Sequence, residues 1–174
     1  NMKYRVVYFG SSNYSLPALE VLAADSRYEI VAVVSQPDKP VGRKQTITPT
    51  PVSAWAKEHS VELLIPLSWK KDLSAVERLQ ELKPNVGVLA VYGKILPQNV
   101  IDVFPKGIVN IHPSLLPKYR GPTPGQYVIL NGDTESAVTI MLLSAEMDAG
   151  EIIAQEKFIV PANEIPESYY TKAF

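Results

Sequence analysis

The chain has 174 residues, 46% hydrophobic and 20% charged, which excludes disordered, collagen-like and fibrous classes and supplies a core for one domain of ordinary size. Lysine plus arginine number 17 against 18 for aspartate plus glutamate, a net charge of -1, so any contact with nucleic acid or an anionic surface must be local. There is no cysteine, hence no disulfide, thiolate nucleophile or cysteine-ligated zinc, and imidazole chemistry has only His59 and His112 to use.

Asn1 ahead of Met2 reads as a remnant foreign to the fold. From Tyr4 to Phe9 the chain is β-branched and aromatic and closes on Gly10, and Pro17 to Ala24 then continues at helical spacing through Leu16, Leu19, Glu20 and Ala23. The alternation repeats: strand Glu29 to Ser35, helix Val52 to His59, strand Glu62 to Ile65, helix Leu73 to Leu82 with a stripe of Leu73, Val76, Leu79 and Leu82, then strands Val86 to Val91 and Gly107 to His112. Apolar runs without polar alternation predict strands covered on both faces, and βαβ order predicts a parallel sheet. Ala137 to Leu143 and Ile152 to Val160 are strands joined by too few residues for a crossover helix, so they are expected to be antiparallel neighbours. The fold class is a Rossmann-like, doubly wound α/β domain with a mixed, mostly parallel sheet. Proline clusters at Pro37, Pro40, Pro49 and Pro51 and again at Pro113, Pro117, Pro122 and Pro124, predicting two long stiffened loops. Glu164 to Phe174, with Pro166 at the first helical position, reads as the start of a helix. No run approaches the ~18 consecutive apolar residues of a membrane span, and no leader is recognisable, so a cytoplasmic location without a membrane partner is expected.

Asn110 and His112 lie two apart at the end of a strand, so their side chains share a face at the carboxyl edge of the sheet, where open α/β sheets bind ligands. Pro113 disfavours helical geometry at His112 and marks the passage to a loop. Asp148, before Ala149-Gly150 in the connection between the last two strands, is a turn residue by local sequence. If it reaches the imidazole, it would orient the ring and favour its charged form.

The run Asn110-Ile111-His112-Pro113-Ser114-Leu115-Leu116-Pro117-Lys118-Tyr119-Arg120-Gly121, with Val138-Thr139-Ile140 and Met147-Asp148-Ala149-Gly150-Glu151-Ile152-Ile153, resembles the signature of the 10-formyltetrahydrofolate-dependent formyltransferase family. Leu16-Pro17-Ala18-Leu19, Gln36-Pro37-Asp38-Lys39-Pro40-Val41-Gly42-Arg43 and Val91-Tyr92-Gly93-Lys94-Ile95-Leu96-Pro97 extend the resemblance along nearly the whole chain. It implies an enzyme that moves a formyl group from 10-formyltetrahydrofolate, as co-substrate, to the amino group of initiator methionyl-tRNA; an amino sugar nucleotide is the alternative acceptor. It further implies Asn110, His112 and Asp148 as the catalytic trio, with no metal. A folate pocket is implied at Leu89, Ala90, Val91, Tyr92, Ile95, Leu96, Pro97, Ser114, Leu115, Leu116, Pro117, Leu142 and Met147. Lys39, Arg43, Lys44, Lys118 and Arg120 are the implied tRNA contacts, and a monomer is expected. On this resemblance residues 2–174 are a catalytic domain, followed in the family by a small barrel of the OB type that also grips tRNA. No G-x-G-x-x-G follows the first strand, where Gly10-Ser11-Ser12-Asn13 stands, and no P-loop is present, which disfavours a dinucleotide-binding module or an NTPase.

Overall fold

A computed structural model describes residues 2–174, so Asn1 lies outside the described residues. The chain divides into two compact units, the first ending at Ile108 and the second spanning Val109–Phe174.

In chain order the first unit carries β1 (Tyr4–Phe9), α1 (Leu16–Ala24), β2 (Tyr28–Val34), β3 (Lys39–Val41), β4 (Thr46–Thr48), α2 (Pro51–Glu58), β5 (Leu63–Leu64), α3 (Leu73–Leu82), β6 (Val86–Leu89) and α4 (Gln98–Ile101). β1 lies between β2 and β6, β5 pairs the outer side of β2, and all three pairings are parallel. Val6, Val7, Tyr8 and Phe9 are all fully buried; because successive strand residues point to opposite faces, both faces of β1 are covered, as its unbroken apolar run predicts. Helix boundaries follow local chemistry. Thr50 caps α2 by accepting from the Ser53 amide ahead of Pro51, and Asp72 caps α3 by accepting from the Ala75 amide.

Three expectations need correction here. The buried stripe of α3 is Ala75, Val76, Leu79 and Leu82, whereas Leu73 is 60% exposed; steps of three residues fall back about 60° each on a helix of 3.6 residues per turn, so Leu73 rotates out of the row. The strand from Val86 stops at Leu89 because Val91 takes a left-handed conformation with φ 52°. The first proline-rich loop holds an antiparallel hairpin, β3 with β4, each strand three residues long and exposed throughout. Both tryptophans belong to this unit. Trp55 stacks on His59 with ring centres 4.1 Å apart, and the Trp69 indole donates to the Tyr92 hydroxyl at 3.2 Å.

β7 (Ile108–His112) starts on the last residue of the first unit, and the second unit carries the rest of it with α5 (Pro124–Leu130), β8 (Glu135–Leu142), β9 (Ile152–Ile159) and α6 (Pro166–Ala173). β8 and β9 are antiparallel, as their short connection requires, and β8 is antiparallel to β7 as well. Parallel pairing in one unit and antiparallel pairing in the other make the mixed α/β class expected from sequence. Val128 of α5, Val160 and Tyr169 of α6 form the core here, with Tyr119, Ile129 and Phe158 packed on it. α5 corrects the second proline-rich loop: Pro124 at a first helical position starts a helix as readily as it stiffens a loop, and Gln126 to Leu130 continue it. The predicted start of a helix near Glu164 is α6.

Candidate active site

β7 alternates, with Ile108, Asn110 and His112 buried and Val109 and Ile111 less so, which puts Asn110 and His112 on one face. The Asn110 side chain is almost fully enclosed, the residue being 7% exposed, and its amide has no hydrogen-bond partner among the described residues. A nearly buried, uncommitted amide is costly unless something else satisfies it.

Asp148 reaches His112 from the β8–β9 connection. One carboxylate oxygen, Oδ1, stands 3.7 Å from His112 Nδ1, with both side chains at least nine-tenths buried. The other, Oδ2, accepts from the Gly121 amide at 2.7 Å. Asp148 adopts φ 50°, a left-handed conformation that Asp tolerates better than most residues. Two residues on, Gly150 has no substitute: a Cβ there would stand 1.6 Å from the Leu142 carbonyl oxygen. The turn that presents Asp148 therefore closes against the end of β8 at a distance only glycine permits.

On its other side the imidazole is tied to the segment that follows it. His112 Nε2 lies 3.0 Å from the Tyr119 carbonyl; a carbonyl only accepts, so Nε2 carries the proton. The intervening strap, 113–121, is held through its carbonyls. Tyr169 of α6 donates to Pro113 at 2.6 Å, Thr139 of β8 donates to Ser114 at 2.6 Å, and Gln155 of β9 donates to Leu116 at 3.0 Å. The Ser114 hydroxyl closes the far end by donating to Lys118 at 2.7 Å. Tyr119 itself has φ 57°, and Gly121 follows at φ 100°. For a residue with a side chain the left-handed region costs about 1–2 kcal/mol, so the surrounding bonds hold Tyr119 there. Its hydroxyl donates to Asp133 at 2.7 Å and accepts from Asn131 at 3.0 Å. The bond from Asn131 by itself favours the ionised phenol, but the Asp133 carboxylate and burial outweigh it and hold Tyr119 above the ordinary tyrosine range.

Within the second unit the structure thus brings His112 and Asp148 together, with Asn110 on the same face as His112. Among the remaining predicted pocket residues there, Ser114 and Leu116 are buried, Leu115 and Leu142 are half-buried, and Pro117 and Met147 are exposed. Lys118 and Arg120 are exposed on either side of Tyr119. In the first unit the Ala90, Tyr92 and Leu96 side chains are buried in the core, Leu89 and Pro97 are half-buried, and Val91 and Ile95 are exposed. Tyr92 meets Phe9 edge-on at 5.8 Å, so in that stretch a ligand finds backbone and the two exposed side chains. Lys39, Arg43 and Lys44 all project from the β3–β4 hairpin, and Lys39 donates to Gln36 at 2.8 Å. Among the described residues no cluster of His, Asp and Glu is arranged to hold a metal, and no helix is long and apolar enough to cross a membrane.

Sequence reasoning passed over Tyr119, Gly121, Thr139 and Tyr169 as parts of this site. A polar threonine inside the apolar run Val138 to Met141 was a usable signal for Thr139. Gly121 acts through its amide and Tyr119 through its carbonyl, which side-chain types do not reveal.

Against known proteins, a family model described as formyl transferase matches residues 3–173. Methionyl-tRNA formyltransferase of Roseiflexus sp. (strain RS-1) is 49% identical over 160 residues, covering 92% of this chain and 49% of that protein. The protein of the same name from Sulfurovum sp. (strain NBC37-1) is 38% identical over 160 residues, covering 92% of this chain and 52% of the relative. The chain spans about half the length of the curated relatives it matches. Among solved structures, phosphoribosylglycinamide formyltransferase from Bacillus Halodurans superposes with a TM-score of 0.79 at 26% identity, over 97% of this chain and 87% of that one. Glycinamide ribonucleotide transformylase 1 from Symbiobacterium toebii gives 0.80 at 23% identity, over 99% and 80%, a likeness of fold.

Proposed function

The chain belongs to the formyl transferase family, and from that membership we propose that its second unit carries the catalytic trio of an enzyme that formylates initiator methionyl-tRNA. The formyl donor is 10-formyltetrahydrofolate, which supplies an activated one-carbon group at the formyl oxidation level. The acceptor follows from the relatives at 47–49% identity, which bear the name methionyl-tRNA formyltransferase. The observation that carries the proposal is the approach of Asp148 to His112 at 3.7 Å across 36 residues of sequence, beside an uncommitted Asn110 amide.

The chemistry assigned to these side chains is compact. When the acceptor amine attacks the formyl carbon, a C–N bond forms and negative charge grows on the formyl oxygen. Asn110 donates an amide N–H to that oxygen; an amide cannot titrate, so the donor is present at every working pH. His112 Nε2 is committed to the Tyr119 carbonyl, which leaves Nδ1 to take the proton released by the amine. Asp148 holds the resulting positive charge and limits rotation of the ring. The same proton then passes to the folate nitrogen as its bond to carbon breaks. No nucleophilic side chain of the protein enters this route. Lys39, Arg43, Lys44, Lys118 and Arg120 supply local positive charge for the tRNA backbone on a chain whose net charge is -1.

The test is a formyl-transfer assay on the full-length protein with charged initiator tRNA and, in parallel, an amino sugar nucleotide. Asn110→Ala is expected to lower kcat about 10²–10³-fold, as loss of one oxyanion donor does. His112→Ala is expected to lower it about 10²–10⁴-fold. A folded His112→Ala enzyme with wild-type turnover refutes the assignment, and transfer to the sugar nucleotide alone refutes the acceptor.

A further inference from the structure

The Tyr119 side chain lies outside the trio, yet its backbone is the fixed partner of the catalytic ring. Its carbonyl accepts from His112 Nε2 at 3.0 Å, and two residues later the Gly121 amide donates to Asp148 at 2.7 Å. One short stretch of backbone therefore grips the imidazole at one end of the His–Asp pair and the carboxylate at the other. That stretch includes Tyr119 at φ 57° and Gly121 at φ 100°; with the left-handed tyrosine it would relax unless something outside the strap pinned it. The pin is the phenol, which is bonded to Asp133 and Asn131 on the turn between α5 and β8 and whose ring packs on Val128, Val160 and Tyr169.

We infer that Tyr119 is a positioning residue for the formyl-transfer step: its hydroxyl, anchored on Asp133 and Asn131, fixes the carbonyl that keeps the proton on His112 Nε2 and leaves Nδ1 to Asp148 and the substrates. The inference rests on the proton-carrying role proposed for His112. The ring anchorage itself is observable without turnover, which keeps the two claims separable.

Tyr119→Phe keeps the aromatic ring in its cluster and removes only the hydroxyl. Asp133→Ala removes the same anchor while leaving the tyrosine intact, and Asp133→Asn restores an acceptor oxygen. Each is made in the full-length protein and examined by nitrogen-15 NMR of the imidazole and by steady-state kinetics with 10-formyltetrahydrofolate and charged initiator tRNA. In both Tyr119→Phe and Asp133→Ala the protonated Nε2 resonance of His112 is expected to shift or to exchange with solvent. Their kcat is expected to fall about tenfold, within the range for a displaced catalytic group. KM for both substrates should change less than kcat, because neither substitution removes a residue assigned to either substrate, and Asp133→Asn should recover most of kcat. A purely structural role would lower thermal stability and leave the ring resonance and the kcat of the folded fraction as they were; that result overturns the inference. If the variants displace the ring resonance while the wild-type protein transfers no formyl group to any acceptor, the anchor stands and the functional reading is refuted instead.

Discussion

The His112 ring is set from two directions by groups that differ in kind, a backbone carbonyl and a carboxylate. Thr139 shows how much of that setting lies in single hydroxyls. Fully buried, it donates to the Ser114 carbonyl at 2.6 Å and accepts from Gln155 at 3.0 Å. Thr139→Val preserves the shape and takes the partner from the buried Ser114 carbonyl and Leu116 amide, while the exposed Gln155 keeps its bond to the Leu116 carbonyl. It is expected to cost about 1–3 kcal/mol, the penalty for an unsatisfied buried polar group. Urea unfolding of the variant against wild type measures it, and a midpoint unchanged at equal m would contradict the role given to Thr139.

At the level of elements, the β8–β9 connection is the most sharply constrained piece, because Asp148 depends on it. Gly150→Ala forces the new methyl group away from the Leu142 carbonyl. The expected result is a loss of about 1–3 kcal/mol, as for overpacking, together with a fall in kcat from the displaced carboxylate. Unfolding curves and turnover measured on one preparation test both. The same element shows what a reader of the sequence can and cannot see. The two strands and their antiparallel pairing follow from apolar runs and a connection too short for a helix, and the shared face of Asn110 and His112 follows from period two. The approach of Asp148 does not follow, because it is made by a left-handed backbone and a glycine contact that local sequence expresses only as an ordinary turn. The β3–β4 hairpin escapes notice because each of its strands has three residues and no buried face to impose alternation. α5 escapes because Thr123-Pro124-Gly125 carries the chemistry of a loop, although the residues behind it pack Val128 into a core.

For the molecule as a whole, two properties follow from how charge and phenols are distributed. The net charge is -1, so under the proposed function attraction to tRNA would fall to local groups such as the exposed Arg43 on the hairpin. Arg43→Glu is predicted to raise KM for charged tRNA severalfold, more steeply at low salt, while KM for the folate stays fixed. Unchanged tRNA kinetics would remove the hairpin from the interface. The phenols govern alkaline stability. Burial raises Tyr92 and Tyr169 to about 12, and it pushes Tyr8 up still further. Each folded-state value exceeds the unfolded value of about 10, so the stabilisation is complete below about pH 10 and is lost as pH rises toward about 12. Tyrosinate absorbance should therefore lag behind that of the unfolded chain, and the urea midpoint should drop through the same interval.

Trp55 and Trp69 both lie before Ile108, which gives the protein an optical asymmetry. Both indoles that emit belong to the first unit. Trp69 is bonded to Tyr92, in the middle of the stretch expected to meet the folate, so a pteridine arriving there would alter its fluorescence directly. His112, Tyr119 and Asp148 belong to a unit that holds no indole, so a titration followed by intrinsic fluorescence reads most directly the first-unit stretch around Trp69 and Tyr92.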